Sequence, residues 1–282
     1  MLAGFAGFSV LCWRHLRLLR ALAPEVRWDH PAARLKSVLV EGLFQRRMVL
    51  RDWRPGLMHA VIFLGFMTLL ARKLQLIAVG YVETATFPDL IGGPFAALKD
   101  FVELAVLLAV GYAMWRRGVQ RPARLAARGE AWLVLGLIAA IMVTDIAFDA
   151  FRFARLSATV PGIAHEEAWA FIGAPLGQWA ATLGPGVQAF GYHASYWVQM
   201  AVVFSFLVLL PVGEHFHIVT ALPTLFFRRG APARVVPAVD MEKLMAAEDE
   251  ADMKAGAQTA RDLTWKEGLD TLTCTQCGRC TV

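Results

Sequence analysis

Charged residues are scarce in this chain: Asp, Glu, Lys and Arg make up 18% of its 282 residues, while 57% are hydrophobic. The mean hydropathy of +0.49 is too high for an ordinary soluble domain. Several stretches of about 20 residues are predominantly apolar, which is the length that crosses the hydrocarbon core of a bilayer. The sequence therefore predicts a helical integral membrane protein.

Cysteine is also rare, and the placement of the four residues argues against a disulfide framework. Cys274, Cys277 and Cys280 crowd into the last nine positions, whereas Cys12 lies alone in the first apolar stretch. Such crowding is typical of metal ligands, and it places the tail in a reducing compartment. No small-residue cleavage site follows the first apolar run, so we expect no signal peptide.

Basic residues are missing from two of the segments that connect the apolar stretches. Residues 81–94 and 156–188 contain no Lys or Arg, while the intervening connections are rich in Arg. The positive-inside rule then predicts a multi-pass topology with the amino terminus outside and the tail in the cytoplasm. The net charge of +5 is thereby explained by topology and contact with anionic lipid rather than by nucleic-acid binding. Five spans are predicted, over residues 1–23, 56–80, 95–115, 131–154 and 191–229.

The last apolar stretch, Gly191–Arg229, carries histidines and is predicted to form one long helix kinked at Pro211. An imidazole inside a membrane is costly unless it faces the bundle interior or binds a group. A b-type haem fits, because its iron accepts neutral imidazole and its porphyrin packs between apolar helices. His59 and His217 are the predicted axial ligands, because the topology places both on the cytoplasmic side at a similar depth.

Three arginines just before the second span, Arg47, Arg51 and Arg54, are close enough along the chain to neutralise the haem propionates. The alternative is that each histidine is a hydrogen-bonded structural residue. His215 is predicted to lie off the ligand face, because residues two apart on a helix are separated by about 200°.

The cysteines at 274, 277 and 280 have the C-x2-C-x2-C spacing of a bacterial-type [4Fe–4S] site. Zinc is the alternative, although zinc sites more often have cysteine pairs separated by a long gap. The usual run continues with x3-C-P, and Val282 comes before a fourth cysteine. We therefore expect the chain to be truncated at its carboxyl end.

Three stretches carry a resemblance to known families: RPGLMHAVIFLGF (54–66), LPVGEHFHIVTALPTLFFRR (210–229) and LTWKEGLDTLTCTQCGRC (263–280). The membrane region resembles the haem-bearing gamma subunit of respiratory nitrate reductase. With its tail, the chain is similar to the heterodisulfide-reductase-related iron–sulfur proteins. Within these it looks most like the fused membrane type proposed to pass electrons between electron transfer flavoprotein and menaquinone.

The resemblance implies an all-α architecture in two parts. Residues 1–227 would form a transmembrane haem domain of about five helices. Residues 228–282 would form a cytoplasmic linker and the start of a ferredoxin-like [4Fe–4S] domain.

The resemblance also implies a quinone-linked oxidoreductase of the bacterial cytoplasmic (inner) membrane. Electrons would pass from electron transfer flavoprotein, or a similar redox partner, through [4Fe–4S] clusters and b-type haem to menaquinone. One alternative runs in the opposite direction, with quinol oxidation feeding a cytoplasmic heterodisulfide-type reductase. Another is a haem-free membrane anchor for an iron–sulfur protein.

The chain departs from the two-haem members of the resembled family at two positions. Where those members have a second pair of histidines, this chain has Leu69 and Gln199. Leucine cannot bind iron and glutamine is a poor haem ligand, so a single haem is predicted on the cytoplasmic side. His193 is the one residue that could restore an outer site.

The space of the missing haem is expected to be filled either by Trp197, Phe66 and Met200 or by a quinone. Gln199, Asp145 and Arg72 are the candidate quinone-site residues. The alternative for Arg72, Lys73, Asp145, Asp149 and Arg152 is ion pairing and snorkelling near the outer interface. His165, Glu166 and Glu167 are predicted to form a solvated polar turn.

Overall fold

The computed structural model describes residues 1–123, 129–229, 241–246, 257 and 259–275. The regular elements of this part of the chain are helices, and one parallel bridge pairs Ala23 with Thr264. The α-helices in chain order are α1 Leu2–Arg20, α2 Pro31–Ser37, α3 Arg46–Arg51, α4 Trp53–Val79, α5 Asp89–Trp115, α6 Gly129–Leu156, α7 Pro161–Trp169, α8 Gly173–Ala181, α9 Pro185–Leu209, α10 His217–Phe226, α11 Met241–Met245 and α12 Trp265–Thr273. The predicted all-α class is confirmed.

Three helices in the described part of the chain, α4, α6 and α9, are long and apolar enough to cross a membrane. Helix α5 is also 27 residues long, but it carries Lys99, Asp100 and Glu103 near its middle. Helix α1 has 19 residues and contains Arg14 and Arg17. Length and composition therefore support three of the five predicted spans.

The prediction of one long helix through Pro211 is wrong. Helix α9 ends at Leu209, and α10 begins at His217 after a turn and a single 3₁₀ turn. Pro211 has no backbone N–H to donate, and a proline ring clashes with the carbonyl four residues earlier. Gly213 then adopts an extended conformation, with φ −129° and ψ −159°. Gln199 and His217 consequently lie on separate helices.

Two other segments consist of short helical pieces. The connection 156–188 contains α7 and α8. Residues 35–48 are divided among α2, a π-helical turn over Val38–Leu43, and α3. Gln45 lies between the π-helical turn and α3. Its φ of 52° is in the left-handed region, which interrupts helices.

The chain divides into two compact units. Unit 1 contains Met1 and the described part of 47–206, and unit 2 contains residues 2–46 together with the described part of 207–282. An apolar cluster in unit 1 joins α4, α6 and α9 through Leu76, Val79, Phe148, Tyr192, Tyr196 and Met200.

Glycines allow the long helices of unit 1 to approach one another closely. A Cβ atom at Gly65 would lie 2.3 Å from Val106 Cγ2, where α4 meets α5. A Cβ atom at Gly191 would lie 2.3 Å from the Phe151 ring, where α9 meets α6. Small residues at helix contacts are typical of membrane bundles, in which close van der Waals packing drives association.

Unit 1 has apolar residues on its surface and charged residues inside. Leu74, Phe101 and Leu108 are each more than 60% exposed, whereas Asp145 and Arg152 are fully buried. Trp197, one of the side chains expected to fill the interior, is also on the surface, 61% exposed. Met200 is buried as expected. This distribution suits a lipid environment, where polar groups must find partners inside the protein.

Candidate functional site

Nine ionisable side chains from four helices meet inside unit 1. We call this group the charged cluster: Arg72 and Lys73 of α4, Lys99, Asp100 and Glu103 of α5, Asp145, Asp149 and Arg152 of α6, and Glu166 of α7. All are buried except Lys73, whose side chain is 15% exposed. Buried charge of this kind is tolerated only when it is paired, and it commonly marks function.

Arg72 lies at the centre of the charged cluster. Its Nε donates to Asp145 Oδ1 at 2.9 Å, and its Nη2 donates to Asp149. Its Nη1 donates to Gln75 Oε1 at 2.6 Å. The planar guanidinium is suited to such forked contacts. Asp145 and Asp149 are four residues apart on one face of α6, and both bond to Arg72.

Lys99 binds three carboxyl groups with a single ammonium. Its Nζ lies 2.7 Å from Asp100, 2.9 Å from Asp149 and 3.1 Å from Glu103. The second oxygen of Asp100 accepts hydrogen bonds from the backbone at the start of α8. Lys99 therefore links α5 to α6, while Asp100 links α5 to α8.

Glu166 is buried, and its predicted place in a solvated turn is wrong. Its Oε2 accepts from Arg152 Nη1 at 2.6 Å, and its Oε1 accepts from Gln75 Nε2 at 2.9 Å. Arg152 also donates to the carbonyl of Ala85 at 2.8 Å. The buried guanidinium of Arg152 needs an anionic partner, and α7 supplies it. His165 is half-buried, and its Nε2 lies 2.9 Å from the carbonyl of Asp89.

Gln199 is fully buried on α9 and contacts the charged cluster. In the amide orientation that satisfies its neighbours, its Nε2 donates to Ile141 O at 3.1 Å and its Oε1 accepts from Lys73 Nζ at 2.6 Å. Lys73 also pairs with Asp145. The structure therefore brings the three predicted quinone-site residues, Gln199, Asp145 and Arg72, into one connected group.

Sequence reasoning missed part of this group, namely Lys99, Asp100, Glu103 and Gln75. A signal was present, because Lys99 and Glu103 are four residues apart within an otherwise apolar helix. Opposite charges at that spacing lie on one helix face.

His217 is the first residue of α10, in unit 2. Its Nδ1 lies 2.9 Å from the carbonyl of Glu214. Donation from Nδ1 to a carbonyl places the ring's lone pair on Nε2, which is the arrangement typical of metal-binding histidines. His215 lies in the preceding 3₁₀ turn, with its ring centroid 6.1 Å from that of His217. The local geometry of His217 thus fits an axial ligand.

The other predicted haem-binding residues lie in unit 1. His59 is half-buried in the second turn of α4, and Arg51 and Arg54 are exposed. Arg54 lies over the Trp53 ring, 5.3 Å from its centroid. His59 and His217 belong to different compact units, so their pairing across one haem stays a prediction.

Helix α12, which leads into the cysteine motif, is attached to α10 within unit 2. The hydroxyl of Thr273 lies 2.9 Å from those of Thr220 and Thr224. Thr220 donates in turn to Phe216 O at 3.1 Å. Cys274 follows Thr273 directly and is exposed.

The start of α12 is fixed as well. Thr264 caps the helix by accepting from the N–H of Glu267, whose carboxylate bonds back to Thr264 N at 2.9 Å. Trp265 Nε1 donates to Glu25 O at 2.8 Å. A nine-residue helix is marginal in isolation, so these contacts are needed to hold it.

The second and third cysteines of the motif, Cys277 and Cys280, lie outside the described residues. Among the residues that the structure describes, no group of three or more His, Cys, Asp or Glu side chains is placed to hold a metal ion. The cluster ligands therefore stay a prediction from the C-x2-C-x2-C spacing.

Comparison with known proteins finds relatives over most of this chain. It is 27% identical over 258 residues to the probable iron-sulfur-binding oxidoreductase FadF of Bacillus subtilis. The matched region covers 88% of this chain and 34% of the relative. It is 28% identical over 278 residues to the EtfAB:quinone oxidoreductase of Syntrophomonas wolfei. Here the matched region covers 95% of this chain and 37% of the relative. The chain thus spans about a third of the length of these curated relatives.

These two relatives match the resemblance that the sequence motifs indicate, which is thereby confirmed. No family model matches the chain. No solved structure matches it either.

Proposed function

We propose that this chain is the membrane part of an oxidoreductase that passes electrons between cytoplasmic [4Fe–4S] clusters and the menaquinone pool through one b-type haem. Electron transfer flavoprotein is the proposed soluble donor. Support comes from the names of the two relatives, one an iron-sulfur-binding oxidoreductase and the other an EtfAB:quinone oxidoreductase.

The observation that carries the proposal is the attachment of α12 to α10 within unit 2. Helix α10 begins with the proposed haem ligand His217, and α12 ends immediately before Cys274. The hydroxyl contact between Thr220 and Thr273 holds the two helices together. A protein that moves electrons between two cofactors must hold the elements that bind them in fixed positions. The contact between Thr220 and Thr273 does this for α10 and α12.

His59 and His217 are the proposed axial ligands, with Arg51 and Arg54 as partners of the propionates. The bond from His217 Nδ1 to Glu214 O orients the imidazole so that Nε2 is the ligating atom. Cys274, Cys277 and Cys280 are proposed to hold the iron–sulfur cluster. When bound, the haem and the cluster supply one-electron transfer.

Gln199, Asp145 and Arg72 are proposed to form the quinone site. A quinone oxygen would accept a hydrogen bond from the amide Nε2 of Gln199. The Oε1 of this amide is held in place by Lys73, whose Nζ lies 2.6 Å from it. Asp145 and Arg72 lie next in this hydrogen-bonded group. Arg72 is suited to orient the head group, and the carboxylate of Asp145 holds Arg72 and Lys73 in place.

The proposed location is the bacterial cytoplasmic membrane, with the amino terminus outside and the tail in the cytoplasm. The basic connections of the sequence support this orientation. A reporter that is active only in the cytoplasm should work when fused after Arg229 and fail when inserted between residues 156 and 188. The opposite pattern would overturn the orientation.

The proposed function is tested by spectroscopy of membranes that contain the chain. Reduction with dithionite should produce the spectrum of a b-type haem, and a menaquinone analogue should reoxidise it. Membranes from the same host without the chain provide the baseline. A chain that inserts without producing a b-type spectrum would instead be a haem-free anchor.

A further inference from the structure

The charged cluster contains one more carboxyl group than cations. Four cations, Arg72, Lys73, Lys99 and Arg152, face five carboxyl groups, Asp100, Glu103, Asp145, Asp149 and Glu166. Through these nine charged side chains, α4, α6 and α7 face one another and the middle of α5. If every carboxyl were ionised, one buried negative charge would have no cation to balance it. Such a charge is strongly disfavoured, and a carboxyl in that position takes up a proton instead.

Two of the five carboxylates are each stabilised by two cations. Asp145 contacts Arg72 and Lys73, and Asp149 contacts Arg72 and Lys99. An opposite charge within hydrogen-bonding distance favours the ionised form, and two such charges favour it further. These two aspartates are therefore ionised.

Two further carboxylates combine one cation with backbone donors. Asp100 contacts Lys99 and accepts from the N–H groups of Ile172 at 2.6 Å and Gly173 at 3.1 Å. Glu166 contacts Arg152 at 2.6 Å and also accepts from the N–H of Phe87 at 3.2 Å. Hydrogen bonds from fixed N–H donors favour the ionised form of a carboxyl group.

Glu103 has the weakest support of the five. It is fully buried, and its contact in the charged cluster is Lys99 at 3.1 Å. Lys99 is closer to Asp149 and Asp100, so its charge is already shared. The second oxygen, Oε1, has no hydrogen-bond partner in the described part of the chain.

We infer that Glu103 is a proton-binding site and carries its proton at neutral pH, as a neutral carboxylic acid among four ionised neighbours. Glu103 lies 14 residues into α5, which is about 21 Å along the helix axis from Asp89. Its use in turnover rests on the proposed function. Reduction of a quinone takes up two electrons and two protons, and Glu103 can supply one proton from inside the span while water supplies the other.

Infrared spectroscopy of the purified full chain at pH 7 tests the inference directly. A protonated carboxylic acid has a C=O stretching band that is separate from the bands of carboxylates. Subtracting the spectrum of Glu103→Gln from that of the unmodified chain should show the loss of one such band. A solvated glutamate, with a pKa of about 4.3, would show no such band at this pH. Absence of the band would overturn the inference.

Thermal unfolding in detergent gives a second measurement. Glutamine imitates a protonated glutamate, so Glu103→Gln should change Tm little. Asp149→Asn is the matched control, because it removes a carboxylate that two cations share and should lower Tm markedly. If Glu103→Gln lowers Tm as much as the control, Glu103 is ionised and the inference fails.

Neither measurement requires haem, cluster or quinone, so the protonation of Glu103 is tested even if the proposed function fails. A third measurement tests its use in turnover. Glu103→Gln should slow quinone reduction while the extent of haem reduction by dithionite is unchanged. Unchanged quinone reduction would exclude Glu103 as a proton source.

Discussion

The hydroxyl of Thr273 lies 2.9 Å from the hydroxyl of Thr220, so the residue before Cys274 contacts the helix that begins at His217. The same hydroxyl lies 2.9 Å from that of Thr224, and it also bonds to the carbonyl of Leu269 in its own helix at 2.7 Å. A threonine hydroxyl has one hydrogen to donate and can accept as well, so it can take part in several contacts. Removing the Thr273 hydroxyl therefore removes its contacts with both threonines of α10.

The first prediction is that Thr273→Val loosens α12. Valine has nearly the shape of threonine but cannot donate or accept, so the variant should lose about 1 kcal/mol of local stability. Hydrogen exchange of the α12 amides should become faster by roughly fivefold. Thr271→Val is the control, because Thr271 is exposed and bonds only to its own helix. Equal exchange rates in both variants would show that the contact does not hold α12.

The second prediction concerns the haem. Replacing either His59 or His217 with alanine should abolish the b-type spectrum while the chain still inserts, because one imidazole cannot maintain bis-histidine ligation. His215→Ala is a close control, since His215 lies two residues from His217 and should be dispensable for the spectrum. Normal haem content in the His59 and His217 variants would contradict the assignment.

The third prediction concerns the centre of the charged cluster. Arg72→Met leaves Asp145 and Asp149 buried with one fewer cation each, and breaking a buried pair costs about 3–5 kcal/mol. Thermal unfolding in detergent should show a large decrease in Tm. Arg155→Met is the control, because Arg155 is 31% exposed and pairs with Glu83 at 3.5 Å. Such a pair contributes less than about 1 kcal/mol, and a similar loss in both variants would refute the prediction.

The fourth prediction separates a quinone site from a repacked interior. Gln199→Leu removes the amide that bonds Lys73, and a hydrogen bond to a charged group is worth about 1.5–3 kcal/mol, equivalent to roughly 10–100-fold in rate. Quinone reduction should slow by that factor while haem content is unchanged. The adjacent Met200→Leu should have little effect. Unchanged turnover in Gln199→Leu would remove the quinone assignment.

A double variant, Leu69→His with Gln199→His, also separates the two possibilities for the space where two-haem relatives hold their second haem: filling by side chains, or a quinone site. If side chains merely fill it, a second haem could bind while quinone turnover continues. If it is the quinone site, turnover should fall whether or not the second haem binds.

The helical class and the long helices of unit 1 were predictable, because apolar periodicity and length decide them. Ion pairing of Asp145 and Arg72 was one of two predictions made for the charged residues inside the apolar stretches. The break after Leu209 was not predicted, because a proline in an apolar stretch is compatible with either a kink or a termination. Here the extended Gly213 after Pro211 decided the outcome.

The role of α7 could not be predicted from local sequence. Glu166 lies in a connection whose composition suggests exposure, and only the tertiary fold places it beside Arg152. The three charged residues of α5 are the opposite case, because local sequence did carry information about them. Their spacing indicated one face, but which helices cover that face depends on contacts between distant parts of the chain.

The charges of α5 also affect how the protein is made. A segment with Lys99, Asp100 and Glu103 near its middle is a poor candidate for entering the bilayer alone, because each charge at the centre of a helix opposes insertion by about 2.5–3.5 kcal/mol. Its ion pair with another helix is the one between Lys99 and Asp149 of α6, which is synthesised after it. If α5 crosses the bilayer, its stable insertion would wait at the translocon until α6 emerges from the ribosome, and these helices would enter the membrane as a group.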